Sequence, residues 1–290
     1  MNDSGSIRIG VVFPQTEIGG DRGAAREYAS AVSELGYLHI TVSDHVLGAD
    51  RGVHRDWSWP YDVDSTFLEP FVLFGYLAAL TSLELVSSIV ILPQRQTALV
   101  AKQAATLDLL CDGRFRLGVG LGWNEVEYEA LGENFANRGA RVSEQVELMR
   151  ALWTQRSVTF GGEHETVTGA GIAPLPIQRP IPVWFGGSRL ARIGRLADGW
   201  FPMLGPGEPL TDAIATIHEA AVEAGRDPSA IGVEGRVDAG AKSQEEIAEQ
   251  VAAWREAGAT HLSFNTMRAG LAGVDDHIGA LSAAAAAVFG

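Results

Sequence analysis

With a single cysteine, Cys111, in 290 residues, the chain has no internal disulfide and no cysteine-rich metal site. The place of Cys111 on an apolar helix face fits a buried spectator thiol better than a nucleophile. Lysine is almost as scarce: Lys102 and Lys242 stand alone, so 20 of the 22 basic residues are arginine. Basic charge is also outweighed, by 36 acidic residues, and the net charge of −14 lacks the basic face that nucleic acid requires of a partner. An anionic small ligand is still admitted, provided local donors meet it, and arginine suits bidentate recognition of oxyanions. Long hydrophobic runs are missing too. Phe71 to Leu80 and Ala283 to Phe289 fall short of the roughly 20 residues that span a bilayer, and no basic segment precedes an apolar stretch at the start. A cytoplasmic protein without membrane contact is expected.

What is present is alternation. Ile7 to Phe13 is an apolar run stopped by Pro14, and Asp21 to Leu35 is an amphipathic helix stopped by Gly36. Strand-like and helix-like segments then follow in turn: Leu38–Val42, Glu69–Leu80, Leu83–Leu92, Thr97–Leu110, Phe115–Gly120, and helical pieces at Asn124–Leu131 and Val142–Trp153. The rhythm resumes with Ile181–Phe185, Arg189–Ala197, Gly199–Pro202, Asp212–Ala224, Gly232–Val237, Gln244–Ala257, Thr260–Asn265 and Asp275–Val288. Eight strands, each followed by helix, predict parallel pairing through right-handed crossovers. At this length the fold class expected is α/β, a single (β/α)8 TIM-type barrel over residues 1–290, for which about 250 residues is typical.

Two segments break the rhythm and read as insertions. Residues 46–66, after strand 2, are too long for an ordinary βα loop of about 2 to 6 residues and carry His54, Trp57, Trp59, Pro60 and Tyr61. Rings in a loop must cover something apolar or lie exposed, so Trp57, Trp59 and Tyr61 are expected to form a lid over a substrate. Residues 154–180, before strand 5, read as a small hairpin followed by extended chain through Pro174, Pro176 and Pro180.

A barrel works at the C-terminal ends of its strands. Those ends deliver Phe13-Pro14-Gln15, Ser43-Asp44-His45, Ile91-Leu92-Pro93, Gly120 to Asn124 and Phe185-Gly186-Gly187-Ser188. Asp44 and His45 form the titratable pair, and an imidazole is the natural proton carrier near neutral pH. A histidine at a strand end can also be merely solvated. His39, His164, His218, His261 and His277 show no metal-ligand spacing, so no metal is expected. Gly118 to Gly122 lets backbone approach a ligand, although a glycine-rich tight turn reads the same way; Asn124 opens the helix that follows. Gly186-Gly187-Ser188 runs into a helix carrying Arg189, Arg192 and Arg195, which describes either an anion cradle or a capped turn with a solvated arginine face.

The motifs Ser43-Asp44-His45, Ile91-Leu92-Pro93, Ala101 to Asp108, Gly113-Arg114-Phe115, Gly118 to Glu125, Arg138-Gly139-Ala140-Arg141, Trp184 to Ser188 and Ala197 to Pro202 occur together. On them the chain resembles the luciferase-like monooxygenase superfamily, most closely its deazaflavin (coenzyme F-420)-dependent oxidoreductases, from Ile7 to about Pro202 and more loosely from Ile231 to Val288. The resemblance implies a flavin or deazaflavin at the strand ends, with a non-prolyl cis peptide at Ser88-Ile89 bulging against its ring. It implies Asp44 and His45 as the catalytic pair near the reactive ring carbon. It also implies cofactor contacts from Phe13, Asp44, Ser87, Ser88, Ile89, Gly120, Gly122, Asn124, Gly186, Gly187, Ser188, Arg189 and Arg192. Leu121 and Ala49 depart from the deazaflavin-dependent sugar-phosphate dehydrogenases, which carry glutamate and tryptophan there, so that reaction is not expected.

Three functions are consistent with this. One is hydride transfer between coenzyme F-420 and a small organic substrate; the second is a monooxygenase using reduced FMN; the third is a barrel that binds a flavin without turnover. Substrate and oligomeric state, including a homodimer, are left open.

Overall fold

The computed structural model describes residues 7–240 and 242–289. Its order is β1 (Arg8–Val12), α1 (Gln15–Ile18), α2 (Arg22–Glu34), β2 (His39–Val42), α3 (Pro70–Leu77), β3 (Glu84–Ser87), β4 (Val90–Ile91), α4 (Thr97–Leu110), β5 (Phe115–Gly120), α5 (Glu125–Ala130) and α6 (Arg138–Thr154). There follow β6 (Val158–Gly161), β7 (Thr166–Ala170), β8 (Val183–Gly186), α7 (Leu190–Leu196), β9 (Gly199–Phe201), α8 (Glu208–Glu223), β10 (Gly232–Asp238), α9 (Gln244–Glu256), β11 (His261–Asn265) and α10 (Val274–Phe289). Short 3-10 turns lie at Leu92–Gln94 and Pro228–Ala230.

Nine of the strands make one parallel sheet that closes on itself. β1 pairs with β11 (Val11 opposite Phe264) and with β2 (Val11 opposite Ile40), and the ring is completed where β5 takes β3 at its start and β4 at its end (Leu85 opposite Phe115, Val90 opposite Val119). Because β3 and β4 share one position, the ring has the eight positions of the expected (β/α)8 barrel. The continuous strand expected over Leu83–Leu92 is therefore interrupted. The chain leaves the ladder at a cis Ser88-Ile89 peptide, where the Ser88 amide donates to the Val42 carbonyl (2.7 Å) and the Ser43 hydroxyl to the Ser88 carbonyl (3.1 Å).

Local chemistry fixes most boundaries. Asp21 caps α2 by accepting the Gly23 and Ala24 amides, and Ser243 caps α9 in a reciprocal box with Glu246. Strand β8 starts two residues later than expected, after Pro182, which has no N–H to offer the ladder. Helix α6 starts four residues earlier than expected, at Arg138, with Asn137 at its N-cap position. The insertion over residues 154–180 forms the antiparallel β6-β7 hairpin. Cys111 ends α4 fully buried, and burial pushes its thiol above the ordinary value. No described helix is long and apolar enough to cross a membrane.

The end of the barrel where the strands begin is filled by charge rather than hydrocarbon. Arg116 reaches Glu84 (3.2 Å) and Glu234 (2.6 Å) and lies over the Trp184 ring (4.3 Å), while His39 Nε2 meets the other Glu234 oxygen at 3.0 Å. Burial alone would raise the Glu234 carboxyl, but Arg116 and His39 hold it far below the usual carboxylate range. Burial, reinforced by the Arg116 charge, pushes His261 down to about 3 and keeps it neutral.

Candidate active site

At the opposite end, where the strands finish, a cavity of about 810 Å³ opens. Its platform is the Ser88-Ile89 bulge. A Cβ on Gly120 would lie 2.6 Å from Ile89 Cδ1 and one on Gly186 3.0 Å from Ile89 Cγ2, so glycine at both strand ends makes room for the isoleucine. Gly122 is required twice over: its φ of +67° suits glycine, and a Cβ there would meet Ile91 at 2.6 Å.

His45 stands on one wall in a ring of aromatic side chains. Centroids of Phe67, Trp123 and Tyr61 lie 4.8, 5.2 and 5.5 Å from the imidazole, and Trp59 stacks on Trp123 at 4.7 Å. The His45 Nδ1 faces Glu127 Oε2 at 3.4 Å. Glu127, from the first turn of α5, has a fully buried carboxylate that also accepts from the Val46 and Leu47 amides and from Gln94 Nε2. Burial works to raise its pKa, yet these donors, His45 foremost, bring it below the ordinary value, so Glu127 is ionised. In a neutral imidazole facing a carboxylate, Nδ1 carries the proton and Nε2 is left as the acceptor.

The far wall is cationic. Arg138, Arg189 and Arg192 line the cavity beside Gly187, whose φ is +117° and whose absent Cβ would point into open space. A Cβ at Gly139 would come within 3.4 Å of Arg192 Nη2, which places Arg192 against the start of α6 that carries Arg138. None of these three arginines is in a salt bridge among the described residues. Burial, with repulsion from Arg189 and Arg195, lowers the Arg192 pKa, and the buried Nε of Arg138 has no hydrogen-bond partner among the described residues.

Ser88, Ile89, Gly120, Gly122, Gly186, Gly187, Ser188, Arg189 and Arg192 are thus brought together with Asp44, His45 and Tyr61 around one cavity. Several expected residues are not. Phe13 is in the core, edge-on to Tyr28, and Ser87 is consumed by exchanging two 2.9 Å hydrogen bonds with the Gly118 backbone. Asn124 caps α5, its oxygen accepting from the Glu127 amide and its nitrogen donating to the Leu47 carbonyl, so its polar capacity is structural. Asp44 does not orient His45. Its carboxylate takes the Ile91 amide (3.1 Å) and the Arg95 guanidinium (2.8 Å), and Glu127 has the orienting role instead. Trp57 and Trp59 stand one layer back, packed on Trp123, which itself lines the cavity. Sequence reasoning did not assign Glu127, Arg138 or Arg95, and it named Trp123 only within the strand end Gly120 to Asn124. Glu127 had a signal, three residues after its own N-cap, and Trp123 adjoins Gly122; Arg95 is 51 positions from Asp44 and had none.

An uncharacterised protein of Mycobacterium tuberculosis is 37% identical over 212 residues, 68% of this chain and 71% of its own length. The F420-dependent glucose-6-phosphate dehydrogenase of Segniliparus rotundus is 32% identical over 217 residues, 71% of this chain and 61% of that enzyme. An F420-dependent secondary alcohol dehydrogenase, solved in complex with an F420-acetone adduct, superposes with a TM-score of 0.80 over 98% of this chain and 99% of its own, at 21% identity, a likeness of fold. Residues 7–268 match the luciferase-like monooxygenase family, and the chain belongs to it.

Proposed function

We propose that this protein moves a hydride between coenzyme F-420 and a small organic substrate. The observation that carries the reading is the pairing of opposite walls in one cavity: three arginines without acidic partners among the described residues on one side, an imidazole fixed by a buried carboxylate on the other. Residues of the cationic wall fit the deazaflavin. Gly187, Arg189 and Arg192 would hold its phosphate, and Arg138 would meet the carboxylates of its glutamyl tail. An FMN phosphate is a single anion and leaves part of that wall unmatched. The likeness to an F420-dependent relative supports the same choice.

The cofactor supplies hydride chemistry. The chain supplies the proton path and the geometry. His45 Nε2 accepts the hydroxyl proton of an alcohol as it becomes a carbonyl, or returns it in the reverse direction. Glu127 holds the tautomer and stabilises the imidazolium that forms. Titrating the purified protein with coenzyme F-420 and with FMN, followed by absorbance and fluorescence, tests the reading. Micromolar affinity for coenzyme F-420 with FMN at least tenfold weaker, about 1.4 kcal/mol, is expected; equal or tighter FMN binding sinks it.

A further inference from the structure

Behind His45 is a second, smaller cavity of about 280 Å³, under the loop that joins β2 to α3. His45, Tyr61 and Trp123 line both cavities and so form the partition between them. The remaining wall includes Leu47, Phe67 and Ser65. Its size is at the small end of ligand pockets, which begin near about 300 Å³.

The chemistry of this side chamber is the opposite of the arginine wall. Among the described residues Asp62 is the only acidic side chain lining it, and its carboxylate is already held by the Arg51 guanidinium, the Ser65 hydroxyl and the Asp64 amide. Arg51 is spent on that carboxylate and on the Trp57 and Trp59 carbonyls (3.2 and 3.0 Å), and Arg268 lies over the Tyr61 ring at 5.1 Å. Asn124 is spent on its cap and on the Leu47 carbonyl. Among the described residues no arginine or lysine lines the chamber, so a phosphate or carboxylate placed there would be desolvated without compensation. A neutral ring compound would bury apolar surface against aromatic edges and turn its one oxygen toward His45, whose Nδ1 is occupied by Glu127 and whose Nε2 is not.

We propose that the side chamber is a binding site for the apolar body of a small, neutral, ring-sized ketone or alcohol, with its oxygen at the His45 partition. As a substrate site it rests on the hydride-transfer reading above and needs the oxygen-bearing carbon at the edge of the partition, where the cofactor ring could reach it; as a binding site it stands without cofactor. It also separates the two ligands by charge, the anionic one to the arginine wall and the neutral one to the aromatic chamber.

Saturation-transfer NMR of cyclohexanone with the full chain, no cofactor added, tests it, alongside the variants Ser65→Phe and Val46→Phe, which place a ring in the chamber. Ser65 ties down its own loop through Asp62, whereas the half-exposed Val46 side chain makes no hydrogen bond, so the second variant serves where the first loosens the loop. Saturation transfer to the ketone is expected with wild type, at least tenfold weaker binding in the folded variants, and a Kd for coenzyme F-420 within twofold of wild type. Absence of transfer with wild type, unchanged ketone binding in Val46→Phe, or displacement of the ketone by glucose 6-phosphate overturns the proposal. Ketone binding that is blocked by the variants in a protein that ignores coenzyme F-420 upholds the chamber and strikes the hydride-transfer reading instead.

Discussion

Arg116 and Arg192 sit at opposite ends of the same barrel, and their surroundings differ in one respect. Arg116, at the closed end, is buried with two glutamates and an indole around it, and although burial opposes its charge, the attraction of Glu234 and Glu84 raises its pKa. Arg192, at the open end, is half-buried beside two other arginines, and its pKa is lowered. Desolvation acts on both; only one is compensated inside the chain. A buried charge with partners is architecture, and a partly buried charge without them is a site whose compensation arrives with a ligand. In a protein of net charge −14, the half-buried Arg138 and Arg192, with no salt bridge among the described residues and with the exposed Arg189 beside them at one cavity, are the clearest departure from the rest of the molecule.

The largest effect expected from breaking this contrast is at the closed end. Arg116→Met takes the guanidinium from Glu234 and Glu84 and leaves the buried Glu234 with His39 and Ser263 alone, and removing one member of a buried pair costs about 3 to 5 kcal/mol. Urea unfolding should show that loss. A cost under 1 kcal/mol would mean that the closed-end network is no more structural than a surface pair.

At the open end the expected loss is in binding instead. Arg192→Ala should weaken coenzyme F-420 at least tenfold, about 1.4 kcal/mol, while urea stability stays level or rises, because the arginine contributes repulsion rather than a bond. Titration and unfolding measured on the same preparation sharpen the comparison. Lowered stability with intact affinity would turn Arg192 into a second Arg116.

Much of this was legible in the sequence because barrels are written locally. Apolar runs alternating with capped helices specify the ring, and the strand ends specify which residues meet. The side-chain partners that the sequence did not give share a cause. Asn124 was visible as a helix cap, but that its amide nitrogen donates to the Leu47 carbonyl, 77 positions away, was not. Asp44 and His45 are neighbours in sequence, but successive residues at a strand end point to different sides, so each finds a separate partner, Arg95 and Glu127, far along the chain. Charge pairing across 51 or 82 positions leaves no periodic trace, whereas the unpaired arginines at Arg189 and Arg192 stood out as a cluster.

Glu127 allows the finest test, since it is a buried charge of the open end that is compensated as Arg116 is. Its carboxyl pKa in the folded protein lies below the ordinary value; burial opposes this, and the His45, Val46 and Gln94 donors outweigh it. A group with a depressed folded pKa stabilises the fold at pH values above its unfolded pKa of about 4.3, and loses that contribution as pH falls through the folded value. Glu127→Gln keeps one acceptor and removes the charge, so at pH 7 the variant should be less stable by roughly 1 kcal/mol, the scale of one hydrogen bond. Urea midpoints for both proteins, taken from pH 7 down to the acid limit of folding, should stay separated to about pH 4.3 and converge below it. A separation that persists unchanged below that range would show that the amide fails for reasons of packing, and that Glu127 is not acting through its charge.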